Sequence, residues 1–473
     1  MLNKKLLAAA IVGTLAAGNA AAANLSAPNG AIPAYFAKEI VIGANGTQLT
    51  TTASGTTALT WQTGYNFSAL EVRYARLECS DTIELDAGSV TISNPGNANI
   101  GSINGAGTNV LTFSLTSTGA NITESDVLTL NGDHTILSTD SAVTCSVGLY
   151  DQPSQAQVGG TNGLIAGSHF SGAYIAFSPS YRIGATATTH TASVEATPTF
   201  SAFVPSGVSN TTQAFLGANT FGYALVDPDG NTGLQTATLG VNGLPVTLAT
   251  LLAGTTTLEV EGDFSITANT SAPAFGGAAL GRVVLPTVGN ASALTASKAT
   301  FNVGNAGFTG SYVQLTRRTP ALAIPEATYT ATLKAVAAQP SVYAVNDLTA
   351  ALGRIVRDGT QLQAPLVQVP GGWISRLVLT NTSAIARPYT ITVLSETGNT
   401  VSTNNLTGTI PAYGTYVVED LNTVLTGFTG PNKRATLNVS VAGPNTAIQG
   451  LYQIVNPDKG SISNHVLVRP GTN

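Results

Sequence analysis

Short runs in which apolar and polar residues alternate, separated by Asn-Gly and other turn signals, confine this chain to β-sheets. Near the C-terminus Ala435, Leu437, Val439 and Val441 alternate strictly with Thr436, Asn438 and Ser440. That period of two places successive side chains on opposite faces of a strand. Asn29-Gly30, Asn45-Gly46, Asn104-Gly105, Asn131-Gly132 and Asn162-Gly163 punctuate the N-terminal part. Each pair is suited to the positive φ that tight hairpins require. Many short strands without intervening helices mean sandwiches or barrels and exclude parallel βαβ folds. The expected fold class is therefore all-β, as tandem Ig-like β-sandwich domains with one or two short helices.

At 473 residues the chain is too long for one typical domain. Alternating segments at 38–42, 58–63, 69–79, 89–92, 110–115, 127–130, 142–149 and 172–177 form a first unit, 24–189. A second, 190–338, contains Phe221-Gly-Tyr-Ala-Leu-Val226 and ends in Ala327-Thr-Tyr-Thr-Ala-Thr-Leu333. Residues 339–370 read as a connector. Within it Asn346 supplies a cap, and Leu348, Ala351, Leu352 and Ile355 recur at helical spacing, predicting one short helix. The third unit, 371–473, has strands expected at 373–380, 389–394, 415–418, 434–441, 448–455 and 465–468.

Export is written at the N-terminus. Lys4 and Lys5 form a basic n-region, 6–17 an apolar stretch, and Ala20 to Ala23 the small residues of a cleavage site. This pattern predicts a Sec-type signal peptide over 1–23, cut before Asn24, and an extracellular location. Removing both lysines leaves 17 basic against 24 acidic residues, a net charge of −7. That balance argues against nucleic acid as a partner. Arg317-Arg318 is a tight basic pair, read as a solvated strand end.

Charge is scarce everywhere. Asp, Glu, Lys and Arg make up 9% of the chain, against about 25% in ordinary soluble domains. Such a surface carries little electrostatic protection against self-association. Proteins that pack into lattices or filaments tolerate this.

The exception is Glu71-Val-Arg-Tyr-Ala-Arg-Leu-Glu-Cys79 with its continuation to Asp86, where seven of sixteen residues are charged. Ala75, Leu77, Cys79, Ile83 and Leu85 share one phase, and Arg76, Glu78, Glu84 and Asp86 the other. Glu71, Arg73 and Asp81 fall in the apolar phase and need a strand end, bulge or turn to carry them outward. Cys145, in Val143-Thr-Cys145-Ser-Val147, occupies an apolar phase like that of Cys79. In an exported chain with two cysteines, a Cys79–Cys145 disulfide is the expected pairing. Arg76, Glu78 and Glu84 are expected on a lateral, subunit-facing surface.

Motifs of catalysis do not assemble in the sequence. His134, His169, His190 and His465 are far apart, none at metal-ligand spacing, and each is read as a surface or strand residue. Around Gly167-Ser-His169-Phe-Ser171 a nucleophile elbow lacks both glycines and the strand-to-helix context it needs. No enzymatic activity is expected. Calcium is the one cofactor for which the sequence offers ligands. Asp227, Asp229 and Asn231 put three oxygen donors on alternate residues, with Glu261 or Asp263 as further donors, although position twelve of an EF-hand loop would be Thr238. An Asp-Pro-Asp-Gly turn between strands is the favoured reading.

Ala37-Lys-Glu-Ile40 and the Glu-Val-Arg-Tyr-Ala-Arg-Leu-Glu strand resemble those of large secreted surface-layer and cell-surface proteins of Gram-negative bacteria. The resemblance implies a self-assembling coat or filament of tandem β-sandwiches and carries no catalytic residues. The expected function is a structural surface-layer subunit whose main partner is itself, with lipopolysaccharide or a surface glycan as a further partner. The alternatives are a filament or adhesin subunit that donates 31–42 as a strand to a neighbour, and a secreted carbohydrate-binding or carbohydrate-active protein.

Overall fold

The strand that carries Arg76 and Cys79 runs Val72–Cys79 and lies inside a six-stranded sheet. In spatial order that sheet is Ala34–Ala37, Phe170–Ser178, Val143–Tyr150, Val72–Cys79, Val110–Ser117 and Ala98–Ile100. Ala75, Leu77 and Cys79 are buried and Glu78 is exposed, as the alternation requires. The coordinates are a computed structural model that describes residues 23–28, 30–50, 58–119, 121–230, 235–268, 275–430 and 432–469. The segment expected to be a signal peptide, 1–23, lies outside the described residues apart from Ala23.

Two smaller sheets complete the first unit. One is ordered Ala23–Asn24, Leu59–Gln62, Val127–Asn131, Ser89–Ile92, the other Thr47–Leu49, His134–Ile136, Ile83–Glu84. Trp61, Phe36, Phe67 and Tyr174 are fully buried among them, each contributing roughly 1.5–3 kcal/mol through burial. The segment expected at 38–42 is a strand four residues earlier, Ala34–Ala37, paired in parallel with Phe170–Ser178.

The second unit starts at Tyr181, earlier than the expected 190, and stacks a five-stranded sheet against a six-stranded one. The first is ordered Tyr181–Gly184, Gln213–Leu225, Phe308–Thr316, Val283–Leu285, Gly289–Asn290. The second is Thr188–Ala192, Leu348–Arg357, Ala327–Lys334, Thr257–Glu261, Lys298–Asn302, Ala293–Leu294. One continuous apolar core runs through both units, from Ala23 to Ile355. The third unit has its own core, from Leu362 to Leu467.

The helix expected over 346–355 is not formed. That segment is the strand Leu348–Arg357, antiparallel to Ala327–Lys334 and parallel to Thr188–Ala192. A register shift falls opposite Tyr329/Thr330, where the partner steps from Ala351 to Gly353. The bulge moves the buried phase, so that Leu352 is followed inward by Ile355 rather than by residue 354. A strand with one phase slip thus mimics helical spacing. Residues 339–370 are accordingly no simple connector: Leu348–Arg357 belongs to the second unit, and Thr360–Gln368 opens the third. Among the described residues the α-helices are two short turns, Pro153–Val158 and Leu248–Leu251.

In the third unit Thr360–Gln368, Arg434–Val441, Arg387–Ser395 and Thr407–Ile410 form one sheet. Gly414–Val418, Ile374–Asn381, Ile448–Asn456 and Ser461–Val466 form the sheet facing it. Fold class and strand phase match the expectation for this part of the chain.

Candidate assembly surfaces

Cys79 and Cys145 stand directly opposite each other on neighbouring antiparallel strands and are joined by a disulfide. On the opposite face of the same strand Arg76 is held inside its own chain. Its Nε and Nη2 each lie 2.9 Å from Glu78 Oε2. Its Nη1 donates to the carbonyls of Ala156 and Gln157 at 3.0 and 2.8 Å. Those carbonyls close the helix Pro153–Val158, whose last turn lacks intrahelical donors and favours a cation. Glu78 remains exposed, while Glu84 sits half-buried in the separate three-stranded sheet, opposite Thr135. A cleft of about 350 Å³ opens beside the ion pair, lined by Arg76, Glu78, Tyr150, Leu164 and His169.

The out-of-phase charges pair at the strand's beginning. Glu71 accepts from the Tyr65 hydroxyl at 2.8 Å and the Ser68 amide at 2.7 Å, and forms an ion pair with Arg73. Burial pushes the Glu71 carboxyl up, but these bonds and the Arg73 charge outweigh it and hold the group below the usual carboxylate range. The Arg73 guanidinium lies 5.4 Å from the Tyr65 ring centroid, a cation–π contact.

Of the calcium candidates, Asp227 and Asp229 share a turn. Asp227 Oδ1 accepts the Asp229 amide at 3.3 Å, and Asp229 Oδ2 accepts the Gln235 amide at 2.7 Å. Asn231 lies outside the described residues. Asp263 is engaged elsewhere, its Oδ1 accepting the Ser265 amide at 2.8 Å.

Two histidines are strand residues whose side chains are buried in the core. His134 is fully buried, accepts the Asp86 amide on Nδ1 at 3.1 Å and meets Tyr174 edge-on. His190, likewise buried, has Nε2 2.7 Å from the Thr188 hydroxyl. Burial drives both imidazoles from 6.5 down to about 4, so they are neutral at ordinary pH.

The most distinctive surface is one the sequence reading did not single out. On the outer face of the C-terminal sheet, Val417, Val378, Leu451 and Val466 stand in register across four strands. Ile374, Val455 and Ile462 form a second apolar row. Between them runs a polar ladder. Arg376 pairs with Glu419 at 3.0 Å and Gln453 donates to Asn464 at 2.8 Å. Exposure rises towards the edge, where Ile462 is 58% and Val466 79% accessible. The edge strand Ser461–Val466 contains no Lys, Glu, Asp or Pro, the residues that usually blunt a free strand. Its signal in sequence is Ile448–Asn456, which is apolar on both faces instead of one.

The segment expected to be donated to a neighbour is placed within its own chain. The Tyr35 carbonyl accepts the Leu239 amide, and the Leu239 carbonyl accepts the Ala37 amide, each at 2.8 Å. No protein-family model matches the chain, and a search of curated proteins finds no match. Among solved structures the chain is similar to FdeC, described as a broadly conserved Escherichia coli adhesin. The match covers 86% of this chain and 98% of that one, at 10% identity and a TM-score of 0.15. A superposition that loose carries no inference about this chain.

Proposed function

We propose that this chain is a structural subunit that associates with copies of itself at the bacterial cell surface, forming a surface layer. The observation that carries the reading is the outer face of the C-terminal sheet. Two apolar rows flank a hydrogen-bonded ladder and end on an unblunted edge strand. Contiguous apolar rows, half-buried at the centre and exposed at the edge, with a polar component are the composition of a protein interface. An open strand edge also offers backbone donors and acceptors to a second strand. The low overall charge of 9% supports the same reading, because copies approach with little repulsion.

The test is electron microscopy and sedimentation of the purified mature chain, with and without calcium. The wild type is expected to form ordered sheets, and the Ile462→Lys/Val466→Lys double variant to stay monomeric with an unchanged circular dichroism spectrum. A wild-type chain that remains a monomer at high concentration in both conditions would overturn the reading.

A further inference from the structure

The strand Ser461–Val466 is paired along one side, from Val466 opposite Leu451 to Ser461 opposite Asn456. Just beyond it the Leu467 amide donates to the Gly450 carbonyl at 3.0 Å. In an antiparallel ladder the N–H and C=O of one residue face the same neighbouring strand, and consecutive residues face opposite ones. Odd-numbered residues here therefore bond into their own sheet, while Ile462, Asn464, Val466 and Val468 turn their backbone groups to the other side. Val468 has the orientation this phase requires. It exchanges both backbone bonds with Gln363 of the strand Thr360–Gln368, at 2.7 and 2.9 Å.

That second ladder stops at Val468. Pro365 has no N–H to offer, and a register shift between Ala364 and Val367 bends its strand. A cleft of about 330 Å³ separates the two edges, lined in part by Pro365, Leu366, Gln368, His465 and Val466. Among the described residues no strand pairs with the free side of Ile462, Asn464 or Val466.

The side chains of this edge match a copy of themselves. Ile462, Asn464 and Val466 share the outer face, apolar at both ends and polar in the middle. An antiparallel copy centred on Asn464 sets Ile462 opposite the partner's Val466, and Asn464 opposite the partner's Asn464. Each such pair joins residues whose backbone groups face the gap, so each exchanges both hydrogen bonds. A slip of two residues would set Asn464 against an apolar side chain. A slip of one would set free backbone groups against groups already bonded. The strand carries no Lys, Arg, Asp or Glu to repel its copy.

We infer that two copies of this chain join through Ser461–Val466 about a two-fold axis at Asn464, making one continuous sheet from two four-stranded ones. The inference rests on the assembly reading of this face and names its contact. The row Val417, Val378, Leu451 and Val466 then runs on into the partner's Ile462, the partner's Val455 and the partner's Ile374. The polar ladder runs on from Asn464 into its own image. The cleft beside Val466 leaves room for the end of the incoming strand. A two-fold contact closes on itself, so an extended layer needs a second contact elsewhere on the chain.

The experiment uses the full mature chain with single added cysteines, the native pair being already joined. Each variant is oxidised over a range of concentrations, and its association is followed by sedimentation. Asn464→Cys puts two thiols on the axis with Cα atoms about 5.5 Å apart, within disulfide reach. It should give roughly tenfold more disulfide dimer than Ser463→Cys or His465→Cys alone, whose copies stand about 7–8 Å apart. Mixing Ser463→Cys with His465→Cys should restore cross-linking, because those two positions lie opposite each other. A chain that assembles while Asn464→Cys cross-links no better than Ser463→Cys overturns the inference and leaves the assembly reading standing. Cross-linked dimers that never grow into sheets support the inference and sink the surface-layer reading. A chain that stays monomeric throughout overturns both.

Discussion

Arg387, 3% exposed, donates through Nη2 to Glu195 at 2.7 Å, across 192 residues of sequence. Its Nη1 reaches the carbonyls of Val194 and Ala442, each at 3.4 Å, and its Nε donates to the Ser383 hydroxyl at 3.1 Å. One side chain therefore ties the third unit to the loop after Thr188–Ala192. Replacing it with alanine removes the bonds and leaves buried carbonyls unpaired, at about 2–4 kcal/mol. Arg387→Ala is expected to lower the unfolding midpoint of the third unit and to open the 357–360 joint to protease. Limited proteolysis followed by mass spectrometry reads both.

The disulfide joins strands already in register and encloses 66 residues of sequence separation. Loop closure assigns it about 4 kcal/mol, most of it through the unfolded chain. A Cys79→Ser/Cys145→Ser chain should keep its fold and unfold at lower denaturant concentration. Chemical unfolding of reduced wild type should reproduce the same midpoint.

Acid should weaken the fold before carboxylates are titrated. His134 and His190 carry a folded pKa of about 4 against 6.5 in an exposed imidazole, with burial as the leading cause. Between these values the unfolded chain binds more protons than the folded one, so stability is complete above pH 6.5 and falls as pH drops towards 4. Each histidine contributes up to roughly 3 kcal/mol to that loss. Urea midpoints measured from pH 7.5 to pH 4 should decline through this window, and His134→Gln/His190→Gln should flatten the decline.

Gly353 stands at the bulge with φ +142°, and a Cβ there would run into the backbone of Thr188. Gly353→Ala should destabilise the second unit by about 2 kcal/mol or more, through backbone strain and the displaced parallel partner. Thermal unfolding measures it. A shift no larger than that of an alanine placed at exposed Gly254 would show that the bulge has room to give.

How much was legible in the sequence depended on how local the cause was. Strands such as Ser89–Ile92 and Arg434–Val441 matched their expected limits residue for residue, because alternation between turn signals needs no knowledge of the partner. Cys79 and Cys145 were legible for the same reason, each being set inward by its neighbours two residues away. Leu348–Arg357 differs from its expected helix because a bulge beside Gly353, opposite Tyr329, gives the apolar residues of a strand a helix-like spacing. Arg318, expected to be solvated, is buried: the turn that covers it lies about 50 residues earlier in the chain. Arg76 and Glu78 were correctly put on the outer face, yet the helix that occupies Arg76 comes 80 residues later.

The sequence by itself determined an all-β chain, the phase of most strands and the inward direction of both cysteines. Side-chain direction has a period of two along any strand, whatever lies beside it. Only the tertiary structure decided which strands are neighbours and which faces are covered. A row such as Val378, Leu451 and Val466 reads in sequence like any core row. It is a surface because, among the described residues, no second sheet lies over it.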